Sequence, residues 1–194
     1  MTIVQAGAPV LRRGADRVPD GDIGSPEMAQ LIAAMCEVLD QVPGVGLAAP
    51  QVGVARRVVV VQDPAEFHLS VPDELFAEHE RTVVPRYVLI NPEIEPVGAE
   101  TRTFFEGCLS VDGYRALVER HRSVVVRWTD PGGDRHEATR TGWHARILQH
   151  EVDHLDGRLY VDRMLSRSFM TIDHCGDWVY EPIDAVLEAF GISR

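Results

Sequence analysis

The segment His150-Glu151-Val152-Asp153-His154 constrains this chain more than any other. Histidines four residues apart meet at one point only on a helix, where that spacing stacks side chains on a single face. The glutamate next to the first histidine reaches the same region, which is the layout of a hydrolytic metal centre. Two imidazoles do not complete such a centre, because a catalytic site of this type needs three protein donors and one open position. The fold therefore has to carry a distant segment against this helix. Taken alone, the pentapeptide also fits an amphipathic helix with two incidental histidines.

The pattern predicts a helix over 142–156, stopped by Gly157. Ile147, His150, Glu151 and His154 share one face of it, and Trp143 extends that face by a turn. Extending the motif to H-E-x-x-H-x-x-G-x-x-H would need a histidine where Tyr160 stands, so that route to a third donor fails. Glu181 is the downstream acid in reach of the alternative, a metallopeptidase. Cys108 is the better donor, in Glu106-Gly107-Cys108-Leu109-Ser110 at the end of a predicted strand. A thiolate with two imidazoles leaves room for water. Cys36 and Cys175 read as inert buried thiols.

Ser25 and Pro26 mark the start of another helix, with Met28, Leu31, Ile32, Met35, Val38 and Leu39 at helical spacing and an end near Val42. Strands are expected over 57–62, 87–91, 100–106, 116–118, 123–129 and 135–140, the last two joined through Asp130-Pro131-Gly132-Gly133-Asp134. Residues 63–83 read as a polar excursion and 183–190 as a short amphipathic stretch. The sum is an α+β fold, with antiparallel or mixed sheets packed around a central metal-binding helix. One domain over 1–194 is expected, ending in an acidic tail from about residue 165.

A formal charge of −11 repels phosphate backbones and anionic lipid, so direct nucleic-acid binding and membrane association are not expected. Three cysteines form no disulfide framework, and the first residues hold no apolar stretch of signal-peptide length. A cytoplasmic location and a monomer are the expectations. Gly44-Val45-Gly46-Leu47-Ala48-Ala49-Pro50-Gln51 lacks the lysine of a phosphate-binding loop. Its small residues permit close backbone approach to an extended ligand, and the Gln51 amide is suited to polarising a carbonyl.

In order along the chain, G-x-G-x-A-A-x-Q, E-G-C-x-S and Q-H-E-x-x-D-H-L form the motif trio of the peptide deformylases, and the chain closely resembles that family from the Pro9-Val10-Leu11-Arg12 opening to about Met164. The resemblance implies removal of the N-formyl group from the formyl-methionine that begins nascent polypeptides. It implies Cys108, His150 and His154 as ligands of one divalent metal, ferrous iron first, with zinc, nickel or cobalt as alternatives. Glu151 would act as general base, with the Gln51 amide and the Leu109 N–H stabilising the oxyanion. Val45, Phe104, Trp143 and Ile147 would line a methionine pocket, although Phe104 reads equally well as core. Gly46 would bond the peptide through its backbone. Arg115 would lie near the substrate or, as favoured here, brace Glu106. Work close to the ribosome follows from the same likeness, but an acidic tail argues against docking there by the terminal helix. A rival of another class is a silent relative that binds formylated N-termini without cleaving them.

Overall fold

Helix α1 (Pro26–Leu39) begins where its chemistry dictates: the Ser25 hydroxyl accepts from the Met28 N–H at 3.1 Å, and Pro26 takes the first helical position. It stops at Leu39, short of Val42, with Asp40 still in helical conformation as its cap and the Gln41 N–H bonded to the Val38 carbonyl at 3.1 Å in a last tight turn before Pro43. The computed structural model describes residues 1–69 and 71–193; Ser70 of the 63–83 segment and Arg194 of the tail lie outside the described residues. Strands β1 (Gly46–Ala48) and β2 (Val58–Asp63) pair antiparallel. The excursion after them contains a 3-10 turn, Ala65–His68, and a helix, α2 (Asp73–Glu78), where sequence predicted loop. Asp73 and Glu74 complement the partial positive charge at that helix start.

Strands β3 (Val84–Pro96), β4 (Thr101–Cys108), β5 (Val111–His121), β6 (Ser123–Thr129) and β7 (Arg135–Thr141) follow. β3 outruns the expected 87–91 because a register shift between Ile90 and Glu93 carries it past Asn91-Pro92. Helix α3 (Gly142–Leu155) comes next, and the tail adds β8 (Met170–Thr171), α4 (Ile172–Cys175) and α5 (Ile183–Ala189). One sheet runs β1-β2-β3-β6-β7 and the other β4-β5-β8, with every strand pairing antiparallel.

The run Val58-Val59-Val60-Val61 shows no alternation because both faces of β2 are buried. Val58 and Val60 pack with Met28, Met35 and Leu39 of α1. Val59 and Val61 pack with Ile147, Leu148 and Leu155 of α3. Helix α3 thus lies against the larger sheet with its ends fixed by two glycines. Gly142 has φ +60°, and a Cβ there would come 2.5 Å from the Glu80 Cβ and 2.8 Å from the His79 carbonyl. Gly157 has φ +74°, and a Cβ would sit 2.9 Å from backbone atoms of Arg12 and Arg13. Among the described residues no helix is long and apolar enough to cross a membrane.

Candidate metal centre

Cys108 ends β4, and its Sγ lies 3.3 Å from Nε2 of His154 on α3. With His150 it forms a group whose donor atoms all fall within 4.8 Å of one another. Glu181, the alternative third donor, is outside this group and lines a cavity beside the C-terminal segment.

The ligand side chains are held from behind. Nδ1 of His150 lies 2.9 Å from the Glu106 carboxylate, which can only accept, so this nitrogen carries the proton and Nε2 is left for the centre. Glu106 is buried and bonded by Arg120 at 3.0 Å through both of its oxygens, and by Arg146 at 2.6 Å. Burial alone would raise the Glu106 pKa, but Arg120, His150 and Arg146 outweigh it and hold the carboxyl well below the usual range. Arg120 also pairs with Asp153, which Arg163 grips at 2.7 Å through both oxygens.

This corrects the expectation that Arg115 braces Glu106. In the β4–β5 ladder Glu106 faces Ala116, whereas Arg115 faces Gly107. Side chains alternate along a strand, so Ala116 and Arg120 share the Glu106 face and Arg115 points to the opposite one. Arg115 instead lines the cavity beside the tail. The motif reading missed both bracing arginines. Arg146 offered a signal: it stands one helical turn before His150, on the same face of α3, and is buried.

The Gln51 side-chain oxygen accepts from the Ala48 N–H at 2.8 Å, which turns the amide nitrogen toward Ser110 Oγ at 3.4 Å and Cys108 Sγ at 3.5 Å. The Ser110 N–H points at the same sulfur from 3.4 Å. Leu109 gives its carbonyl to the Gln5 side chain at 2.9 Å and packs against the α1 core. Val45, Trp143 and Ile147 meet in one apolar cluster. Phe104 joins the wall through His79, whose ring centroid lies 4.0 Å from that of Phe104 and 4.8 Å from that of Trp143.

Glu151 is 4% exposed, and its Oε2 has no hydrogen-bond partner. The carboxylate fills the space where a side chain on residue 46 would begin: a Cβ on Gly46 would come 2.3 Å from its Oε1. Burial raises the Glu151 pKa to about 7, opposed by His150 and helped by Glu106. For His150, burial opposes protonation, but the bonds to Cys108 and Glu106 outweigh it and raise its pKa well above the usual value. For His154, burial and the neighbouring His150 and Arg120 lower the pKa well below the usual value, so its imidazole is neutral and keeps a lone pair for a metal. A thiol, two imidazoles and a buried carboxylate oxygen with no partner in the protein therefore fit a metal with an attached water.

A family profile described as polypeptide deformylase matches residues 1–169. The chain is similar to peptide deformylase 1A, chloroplastic/mitochondrial, of Arabidopsis thaliana, 48% identical over 172 residues and 89% of this chain. It is likewise 48% identical over 168 residues, 87% of this chain, to peptide deformylase 1 of Streptomyces coelicolor. It spans 64% of the length of the Arabidopsis protein and 75% of the Streptomyces one. A solved structure of the class I type b peptide deformylase of Acinetobacter baumannii, bound to Met-Ala-Ser, superposes with a TM-score of 0.74 at 34% identity, covering 84% of this chain and 98% of that one. Profile, relatives and fold converge on one conclusion: the chain belongs to the polypeptide deformylase family.

Proposed function

We propose that the protein hydrolyses the N-formyl group from the formyl-methionine of newly made polypeptides and releases formate. The observation that carries this reading is the unpartnered Glu151 carboxylate, buried against Gly46 beside the three metal donors. Cys108, His150 and His154 would hold one divalent ion, ferrous iron first, which when bound supplies the Lewis acidity that makes water nucleophilic near neutral pH. Glu151 takes the proton of the attacking water and delivers it to the departing amine. The Gln51 amide and the Leu109 N–H donate to the oxygen of the formyl group as charge develops on it.

Substrate binding follows from the sheet topology. β1 ends the five-stranded sheet and β4 ends the three-stranded one, so each has a free edge. A peptide that pairs with the backbone of Gly46 adds as a strand, a recurring way of recognising an extended chain. Val45, Phe104, Trp143 and Ile147 then receive the methionine side chain, and Arg115 lies further along the peptide. We assign residues 1–194 to a single catalytic unit, acting as a cytoplasmic monomer near the ribosome without docking by its acidic tail. The Met-Ala-Ser carried by the Acinetobacter baumannii enzyme is the kind of peptide such a cleft would release.

The test is formate release from formyl-Met-Ala-Ser by protein loaded anaerobically with ferrous iron. Glu151→Ala should lower kcat by about 10²–10⁴ with the metal retained. Binding of the formyl-peptide without formate release would instead establish the silent relative.

A further inference from the structure

His79 lies in the 63–83 excursion, outside the three family motifs, yet it completes the wall of the proposed methionine pocket. Its ring is stacked on Trp143 with an interplanar angle of 4° and tilts against Phe104 on the other side. The Arg81 guanidinium covers the outer face of this group over Trp143, and Arg146 covers Phe104. The ring is held in place through its backbone, because the His79 carbonyl accepts from the Trp143 N–H at 2.8 Å at the start of α3. Arg81 then ties the excursion to the buried carboxylate of Asp63 through two bonds of 2.7 and 2.8 Å.

Packing alone does not explain a histidine here. The side chain is 9% exposed, and beside it the Trp143 indole N–H is buried without a partner. Burial and the nearby Arg146 and Arg81 lower the His79 pKa to about 4, so the ring is neutral at physiological pH. A phenylalanine would fill the same space without the cost of drawing a polar ring away from water. The three rings line a cavity of about 310 Å³ together with Cys175, Trp178 and Val179 of the C-terminal segment.

We propose that His79 is a specificity-determining residue that reads the side chain of the peptide's first residue, favouring a thioether over an aliphatic or aromatic group of similar reach. This rests on the deformylase reading above. Thioether sulfur is polarisable, packs well against aromatic rings and accepts weak hydrogen bonds, which the N–H groups of His79 and Trp143 can supply. The imidazole also limits the width of the pocket.

The experiment compares formyl-Met-Ala-Ser with its norleucyl and phenylalanyl counterparts, using wild type, His79→Ala and His79→Phe, with metal content and thermal midpoint measured for each. His79→Ala should lower kcat/KM for the methionyl peptide about 10-fold through KM, as lost uniform binding does, and should narrow its advantage over the phenylalanyl peptide by a similar factor. His79→Phe, which keeps the stack, should narrow only the methionine-over-norleucine ratio. If His79→Ala loses metal or fold, the norleucine ratio of His79→Phe decides the matter. Formate release with both ratios unchanged would overturn the role of His79 alone. No release from any peptide by metal-loaded wild type would overturn the deformylase reading and this inference with it.

Discussion

Replacing Gly46 by alanine tests the geometry of the proposed general base, Glu151, with a single methyl group. Gly46 lies in β1, and its φ is not in the left-handed region, so the backbone accepts alanine and the perturbation is steric. The new Cβ would lie 2.3, 2.6 and 2.8 Å from Oε1, Cδ and Cγ of Glu151. Atoms in comfortable contact stand about 3.5 Å apart, so the carboxylate must retreat by about 1 Å. A catalytic group misplaced that far costs about 10²-fold in rate. Overpacking should also destabilise the fold by about 1–3 kcal/mol, offset in part by the ~0.4–1 kcal/mol that Gly→Ala gains through the unfolded chain. Formate release gives the first number and urea unfolding the second. A double-mutant cycle then isolates the contact: in a Glu151→Ala background the stability cost of Gly46→Ala should vanish. Normal turnover by Gly46→Ala, or an equal stability loss in both backgrounds, would refute the reasoning.

Glu106→Gln should weaken metal binding about 10–100-fold and destabilise the fold by about 3–5 kcal/mol, since Arg120 and Arg146 lose the buried charge they share; chelator competition and urea melts read the two effects. In the metal-free protein Glu151 should contribute stability that falls as pH rises from 4.5 to 7, because its pKa is raised from 4.5 to about 7 and the folded state therefore binds the proton more tightly than the unfolded chain, while the lowered pKa values of His79, His144 and His154 act in the opposite direction. That contribution is fully present below pH 4.5 and amounts to about 3 kcal/mol lost by pH 7. The difference in urea stability between wild type and Glu151→Gln isolates this contribution, and it should move against wild type by that amount across the window.

The sequence was most legible where chemistry ties residues to local spacing. The metal donors could be named because imidazoles four apart specify a helix, and because Cys108 sits beside a glycine at a strand end. α1 was readable from Ser25 and Pro26, and β2 from its valines. β1 was not, since Gly46-Leu47-Ala48 has no strand preference of its own and is extended because it pairs with Val59, Val60 and Val61. The length of β3 depends on a register shift that only the partner strands impose. The brace on Glu106 went to the wrong arginine because facing depends on strand register, which the motif does not encode. His79 stayed hidden for a related reason: its meeting with Phe104 and Trp143 joins three segments that no spacing rule connects.

The two glycines that end α3 also bear on how this chain can change over generations. Each residue added to a helix turns everything beyond it by about 100°, so one insertion between Gly142 and Gly157 would swing His150 or His154 away from Cys108. The stops cannot slide to compensate, because each glycine is pressed against a distant stretch of backbone in a conformation other residues rarely adopt. A change of length within this helix is therefore excluded, whereas the 63–83 excursion and the tail carry no such constraint on the donors. Those two segments help to wall the cavity beside Phe104 and Trp143, so on the proposed reading peptide preference can change while the chemistry stays fixed.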